Sequence, residues 1–177
     1  MAAMLMGAWS LQSCDNEPTK EVWLDEFGQD SCYVQDWGML EVNRSVVHTP
    51  LTVNGVVYER GLGAHSISRL LYDLDGKAVS ISGLAGADDK NLFAGKLQFK
   101  ILGDKKELWK SGVMQKGDPV KEFNVNLKGV DKVLLLVEEC GDGIMYDHAD
   151  WLNVKITTRG DVKPVPAWAK PVAKEKY

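Results

Sequence analysis

The 177-residue sequence predicts an all-β domain, a β-sandwich of the jelly-roll type, over residues 22–158. From Val22 onward no window of ten or more residues keeps a helical period, whereas polar and apolar residues alternate along several short segments. Turns that contain glycine separate these segments. An α/β protein would show helical patterns between its strands, so the sequence argues against that class.

The alternating segments each predict a strand with one buried face. Residues 96–101, 122–127 and 152–157 alternate strictly between polar and apolar side chains. Residues 133–137 are continuously apolar, which predicts a central strand covered on both faces. The turns that we expect between strands include Asn54-Gly55, Asp75-Gly76 and Lys128-Gly129.

The first residues are predicted to lie outside the domain. Residues 1–11 carry no charged side chain; they are too few to span a bilayer, which takes about 20, but they match the apolar region of a signal peptide. Leu11-Gln12-Ser13-Cys14 then resembles a bacterial lipobox. We therefore expect a lipoprotein-type signal in residues 1–14, lipidation of Cys14 and a solvated tether over residues 15–21.

This interpretation predicts an exported bacterial lipoprotein of the cell envelope, or a secreted protein, that touches a membrane only through its lipid anchor. The alternative is that the apolar residues form a buried first strand and that Cys14 is an ordinary cysteine. At the other end, residues 159–177 contain three prolines and no alternation, which predicts a linker or tail. We interpret the chain as a piece of a longer protein.

The composition argues against some classes of binding partner. Lys and Arg number 21 against 25 Asp and Glu, and the resulting net charge of −4 argues against nucleic acid, because phosphate-backbone binding usually needs a basic excess. If Cys14 is lipidated, Cys32 and Cys140 are left either as a disulfide or as two buried thiols, and the sequence leaves both open. No cysteine spacing suggests zinc.

Two segments carry candidate binding chemistry. His65 follows a glycine-containing stretch and is either presented at a loop edge or held as a hydrogen-bonded structural residue. Residues 138–151 place three aspartates, His148 and Trp151 between two strong strands. Aspartate and histidine can hydrogen-bond sugar hydroxyls, and an indole can stack on a pyranose. The same aspartates could hold calcium or only shape the loop, and Trp151 could equally belong to the core.

The residues of these segments also carry a family resemblance. Gly61-Leu62-Gly63-Ala64-His65-Ser66, Tyr72-Asp73-Leu74, Gly86-Ala87-Asp88-Asp89 and Asp147-His148-Ala149-Asp150-Trp151 follow one another as in the NPCBM carbohydrate-binding modules. These are the family 51 modules, often attached to bacterial glycoside hydrolases such as α-galactosidases. The resemblance implies a galactose-binding-type sandwich that binds galactose-containing glycans without catalysing a reaction, a structural Ca²⁺ ion and a covalently linked hydrolase domain.

The resemblance also implies a set of site residues. Trp37 does not come from the resemblance: its sequence context makes it a second candidate for stacking on a sugar, and the alternative is that it is a buried residue of the first hairpin. The expected carbohydrate ligands are His65, Asp147, His148, Trp151 and Trp37, with Asp88 and Asp89 as weaker ones. The expected metal ligands are Asp150, Asp142 and Asp25.

Two other functions compete with sugar binding. One is a small glycoside hydrolase that uses Asp147 or Asp150 with His148, since paired carboxylates can hydrolyse a glycosidic bond. The other is a structural adhesion domain with no sugar site, in which the aspartate-rich loop serves only calcium or the fold.

Overall fold

In the computed structural model, residues 17–30, 33–93, 95–161 and 163–167 are described. Cys14 and the rest of the predicted signal therefore lie outside the described residues, as does Cys32. Within the described ranges the chain forms two six-stranded antiparallel sheets and a two-stranded hairpin. The all-β sandwich that the sequence predicts is confirmed. No helix in the described residues is long and apolar enough to cross a bilayer.

The described part of the chain contains fourteen strands and one short 3-10 helix, joined by loops. The elements are β1 (Thr19–Trp23), the 3-10 helix (Leu24–Asp30), β2 (Tyr33–Gln35), β3 (Glu41–Val42), β4 (Leu51–Val53), β5 (Val56–Tyr58), β6 (Gly61–His65), β7 (Ser68–Asp73), β8 (Ala78–Ala87), β9 (Leu97–Gly103), β10 (Lys106–Met114), β11 (Lys121–Asn126), β12 (Lys132–Glu139), β13 (His148–Arg159) and β14 (Val165–Ala167).

The first sheet has the order β11-β8-β13-β6-β3, and β1 also pairs with β13. The second sheet has the order β10-β9-β12-β7-β14, and β2 also pairs with β7. The long strand β13 thus pairs with β6 at its beginning and with β1 at its end. The apolar strand β12 lies between β9 and β7, which is the central position predicted from its composition.

The core lies between the two sheets and follows the predicted alternation. Leu97, Phe99 and Ile101 of β9 are fully buried, and the residues between them are partly exposed. Phe123 and Val125 show the same pattern on β11. Side chains that alternate between the two faces of a strand therefore account for most of the core.

A β-bulge in β13 changes which side chains reach this core. The register of β13 against β8 shifts between Leu152 and Lys155, and Asn153 within the shift has a φ of 49°. An extra residue in one strand reverses the faces on either side of it. Val154 and Ile156, beyond the bulge, face the main core, and a regular strand would place Leu152 on that face with them. Because of the bulge Trp151 packs there instead, while Leu152 joins a second apolar cluster with the β4–β5 hairpin.

Trp151 occupies the centre of the main core and is completely buried. Its ring meets Phe99 of the opposite sheet edge to face, with centroids 4.8 Å apart, and Phe123 of its own sheet at 5.7 Å. Such aromatic pairs add to the stabilisation that burial of the rings already gives. The expectation that Trp151 stacks on a sugar is wrong, because no face of its indole reaches solvent.

The domain extends beyond the predicted limits at both ends. β1 begins at Thr19, three residues before the predicted start, and Thr19 pairs with Arg159. Residues 165–167, predicted as part of a linker, instead form β14, which pairs with the outer edge of β7. Pro166 is acceptable there because an edge strand need not donate every backbone hydrogen bond.

The β4–β5 hairpin is attached to the sandwich by two neighbouring carboxylates. Asp89 accepts hydrogen bonds from the backbone N–H groups of Asn54 (3.0 Å) and Gly55 (2.7 Å), which form the predicted turn. Asp88 accepts one from the N–H of Thr52 at 3.4 Å. Both aspartates therefore serve the fold of the hairpin.

Removal of the central indole should be severely destabilising. We expect Trp151→Ala to lower the free energy of unfolding by about 3–5 kcal/mol, the usual cost of deleting a buried large aromatic side chain. Urea denaturation monitored by far-UV circular dichroism measures this change. Trp37→Ala, at a side chain that is 49% exposed, is the matched control and should alter stability far less. Equal losses in the two variants would contradict the placement of Trp151 in the core.

Candidate functional site

A cleft of about 530 Å³ opens where β6 ends and β13 begins. His65 and His148 are register partners across these two strands, and both line the cleft. The remaining walls come from the loops that precede β3, follow β3, and connect β8 to β9 and β12 to β13. The lining residues are Trp37, Val47, His65, Lys90, Leu92, Ile144, Met145, Tyr146 and His148.

Three aromatic rings form a compact cluster in this cleft. The Trp37 indole stacks on the His148 imidazole, with centroids 5.8 Å apart and planes inclined by only 6°. It also contacts the His65 ring at 4.9 Å, and the two imidazoles lie 5.6 Å apart. The histidines are almost buried, whereas about half of the Trp37 surface stays exposed. The prediction from sequence of a second stacking residue thus falls on an indole that is open to solvent.

Gln35 and Gly38 position Trp37. The Gln35 amide donates to the backbone carbonyl of Trp37 (2.8 Å) and accepts a hydrogen bond from the backbone N–H of His65 (3.1 Å). Gly38 adopts a φ of +69°, and a Cβ there would collide with Val46 at 2.8 Å. Glycine is favoured at such a position. The turn that carries Trp37 is therefore joined to the strand that carries His65.

Asn91 positions the opposite wall. Its side-chain amide donates to the carbonyl of His148 at 3.1 Å and accepts from the N–H of His148 at 2.9 Å. Lys116 donates to the carbonyl of Asn91 at 2.7 Å. Phe93, on the same loop, packs edge to face on Tyr146 with centroids 4.9 Å apart. The β8–β9 and β12–β13 loops are thereby held against each other.

The two histidines of the cluster are electrically neutral at pH 7. Burial lowers the pKa of His65 from 6.5, against opposing effects of the Ser66 carbonyl and the charge of Asp36. Burial, and then the nearby His65, lower the pKa of His148, while Asp88 acts in the opposite direction. The Nδ1 of His65 lies 2.6 Å from the Ser66 carbonyl and must donate to it, which leaves Nε2 as an acceptor.

Asp147 lies beneath the cleft rather than on its surface. It is fully buried, and one carboxylate oxygen accepts a hydrogen bond from the Ser66 hydroxyl. Burial raises the pKa of Asp147 to about 6. A side chain at Gly95 would collide with this carboxylate, so the loop must be glycine there. The structure therefore gives Asp147 a role in holding the loops and does not support the predicted role of a sugar ligand.

The other predicted carbohydrate ligands also lie away from the cleft. Asp88 is buried and accepts from the N–H groups of Thr52 and Lys90, and Asp89 is bonded to the hairpin turn. Trp151 is in the core. The structure therefore corrects these three expectations, because each side chain is already engaged by the fold.

The structure does not bring the three predicted metal ligands together. Asp25 pairs with Arg60 (2.9 Å), Asp142 is exposed in the β12–β13 loop and Asp150 is fully buried in β13. Among the described residues, no group of three or more His, Cys, Asp or Glu side chains could share a metal ion. Since Ca²⁺ usually takes six to eight oxygen ligands, the predicted set does not fit it.

Asp150 instead forms a buried carboxyl pair with Asp88. Burial, followed by the charge and hydrogen bonding of Asp88 and the charge of Asp89, raises the pKa of Asp150 well above 3.8. Neither carboxyl oxygen of Asp150 has a hydrogen-bond donor in the described residues. Two ionised carboxylates cannot hydrogen-bond to each other, whereas a protonated Asp150 could donate to Asp88.

Sequence reasoning missed the apolar residues of the cleft. Leu92 and Phe93 stand next to each other in a polar loop, and Ile144-Met145-Tyr146 interrupts a loop of glycines and aspartates. Consecutive apolar residues inside polar loops were the available signal. Asn91 was missed as well, because its long-range partner cannot be read from local sequence. Cys140 carries a free thiol in the described residues, and its pairing with Cys32 stays a prediction.

Comparison with known proteins agrees with this architecture. The family model of the NPCBM/NEW2 domain matches residues 20–157. The chain is 29% identical over 130 residues to alpha-1,3-galactosidase B of Akkermansia muciniphila. That match covers 71% of this chain but only 16% of the relative, so the chain is similar to one part of a much longer enzyme.

Two solved structures share the fold. One is CBM51 from Clostridium perfringens GH95 in complex with methyl-galactose, with 25% identity, a TM-score of 0.70, and coverage of 77% of this chain and 99% of that one. The other contains the M60 catalytic domain with the CBM51-1 and CBM51-2 domains of Clostridium perfringens ZmpB, with 28% identity and a TM-score of 0.71 over 80% of this chain and 15% of that one. The chain therefore belongs to the NPCBM/NEW2 domain family and is a non-catalytic carbohydrate-binding module.

Proposed function

We propose that this module binds terminal galactose residues of glycans in the cleft that contains Trp37, His65 and His148. The observation that carries the proposal is the cluster of three rings, in which an exposed indole lies against two neutral imidazoles. The indole offers an apolar surface for the C–H face of a pyranose, and neutral imidazoles can donate to and accept from hydroxyl groups. The methyl-galactose bound to the similar C. perfringens module supports the choice of sugar.

The preformed cleft suits a ligand that is weakly bound. Each sugar hydroxyl exchanges a hydrogen bond with water for one with protein, and the net gain in free energy is small. Binding is therefore measurable only if few side chains lose conformational entropy when the sugar binds. Gln35 and Asn91 already hold the walls by hydrogen bonds to His65 and His148. The ligand therefore meets side chains that are in place before it arrives.

A covalently linked glycoside hydrolase would gain most from such a module. Binding of one part of a molecule raises the local concentration of substrate for another part, even when the individual affinity is low. The similarity to one part of a galactosidase supports this targeting role. Lipidation at Cys14 and location at the cell envelope stay predictions of the same proposal.

Loss of the exposed indole should weaken galactose binding strongly without unfolding the module. We expect Trp37→Ala to weaken binding of methyl galactoside by about tenfold or more, since the apolar area buried under the sugar would be lost. Isothermal titration calorimetry measures the affinity, and thermal unfolding checks that the fold is intact. Val57→Ala, at an exposed apolar residue of β5 outside the cleft lining, is the control. A Trp37→Ala protein that binds galactose normally would refute the proposed site.

Acidification should weaken the same interaction. Burial lowers the pKa of both His65 and His148 from 6.5, so both rings are neutral at pH 7 and 8 and become protonated only as the pH falls through these lowered values. Protonation places two positive charges 5.6 Å apart near Lys90 and removes the acceptor nitrogen of each ring. Titration calorimetry should thus show an affinity for methyl galactoside that is constant from pH 8 to pH 6.5 and that declines as the pH falls through the lowered pKa values of the two rings, which NMR titration of the imidazoles locates. Affinity that does not change while the rings become protonated would contradict a role for the neutral imidazoles.

We further propose that Asp150 retains a proton, shared with Asp88, and that calcium is not needed at this pair. A carboxyl group with a raised pKa in the native state binds protons more tightly there than in the unfolded chain. Its contribution to stability is therefore largest at acidic pH and is lost as the pH rises towards the native pKa. An asparagine at position 150 could donate to Asp88 in the same way at every pH.

The stability of Asp150→Asn tests this assignment against a metal site. We expect the variant to gain thermal stability relative to the natural protein as the pH rises from 5 to 8, equally with Ca²⁺ and with chelator. Asp142→Asn, at an exposed loop residue, should show no such trend. If Ca²⁺ raises the melting temperature of the natural protein but not that of Asp150→Asn, the carboxyl pair is a calcium site instead.

A further inference from the structure

We propose that the apolar wall of the cleft, formed by Leu92, Ile144 and Met145, binds the acetamido group of an N-acetylhexosamine that is linked to the bound galactose. This proposal rests on the proposed function, because it places galactose on the Trp37 cluster and a second sugar against the wall. The proposal identifies the sugar that precedes the terminal galactose. Recognition of galactose alone does not specify that sugar.

The wall is an exposed apolar surface next to the ring cluster. Leu92 is 74% exposed and Met145 is 71% exposed, and both line the same cleft as His65 and His148. Exposed apolar residues that gather in one concave surface usually mark a binding site. The cleft as a whole, about 530 Å³, is within the range of pockets that take ligands larger than a monosaccharide.

The exposure of the wall is imposed by the fold. Leu92 follows Asn91, whose side chain is hydrogen-bonded in both directions to the backbone of His148. Met145 precedes Tyr146, whose ring packs on Phe93, and Tyr146 adopts a φ of 65°. The two loops therefore keep these side chains open to solvent at a free-energy cost that a ligand would recover on binding.

The chemistry of the wall favours an acetamido group over a hydroxyl. A hydroxyl placed against Leu92, Ile144 and Met145 would give up its hydrogen bonds to water without compensation. The methyl of an acetamido group would instead bury apolar surface there. Lys90 also lines the cleft, and a lysine ammonium there could donate to the acetamido carbonyl, which is purely an acceptor.

The test compares two disaccharides that differ only in this group: galactose linked β1→4 to N-acetylglucosamine, and galactose linked β1→4 to glucose. Titration calorimetry with the natural protein should show about three- to tenfold tighter binding of the first, the effect of burying one methyl and making one hydrogen bond. This comparison needs no variant. Equal affinities for the two disaccharides would overturn the inference but leave galactose binding intact, whereas no binding of either, or of methyl galactoside, would overturn the proposed function itself.

The variants Leu92→Asn and Met145→Gln, separately and combined, locate the effect. Each replaces an exposed apolar side chain by a polar one of similar size, so folding should be retained. The combined variant should bind the N-acetylglucosamine disaccharide and the glucose disaccharide with equal affinity. Val113→Asn, at a 59% exposed valine on β10, is the matched control and should change neither.

Two outcomes of the variant series would reject the acetamido assignment. Parallel loss of both disaccharides would show that the wall contacts the galactose itself. A dimer of the natural protein in light scattering that dissociates in the combined variant would show that a second copy of the chain covers the wall.

Discussion

The double hydrogen bond between the Asn91 side chain and the backbone of His148 is the contact on which the binding cleft depends. It attaches the loop after β8 to the first residue of β13, and the His148 carbonyl also accepts a second hydrogen bond, from the N–H of Asp88 at 3.0 Å. Because these backbone groups are buried, an unpaired donor or acceptor here would be costly. One amide thus holds His148 against the loop that carries the apolar wall.

The same region contains two carboxyl groups whose burial opposes their ionisation. Asp147 has a pKa of about 6 beneath the cleft, and Asp150 has a pKa well above 3.8 beside Asp88. Hydrophobic side chains would remove these costs but could not organise the loops, because Asp147 holds Ser66 and Asp88 holds the β4–β5 hairpin. The aspartates that look like ligands in the sequence are thus the supports of the site, and the ligand-facing surface comes from rings and apolar loop residues.

The sequence predicts the sandwich well because its strands are determined by local alternation, as in β9, where every second residue is buried. The prediction from sequence fails where a single extra residue changes which side chains face the core. Strict alternation with Val154 and Ile156 would place Leu152 in the main core, but the bulge at Asn153 places Trp151 there and Leu152 under the hairpin. Trp37 is exposed and Trp151 is buried because of packing between residues far apart in the chain, and neither composition nor sequence spacing predicts such packing. Family resemblance located His65 and His148 in the cleft, but Leu92 and Met145 could be recognised only once two distant loops were seen together.

If rings and apolar loop residues contact the ligand while buried aspartates hold the loops, as we propose, a small module could be selective while binding weakly. Sugar hydroxyls contribute little net free energy, so discrimination must come from groups that water does not satisfy, namely the C–H face of a ring and the methyl of a substituent. In the proposed complex Trp37 would contact the first, and Leu92 and Met145 would contact the second. Both surfaces would be lost in flexible loops, because the apolar side chains would pack on each other instead of remaining exposed. The rigid connection through Asn91 is therefore as much a condition for specificity as the residues that meet the ligand.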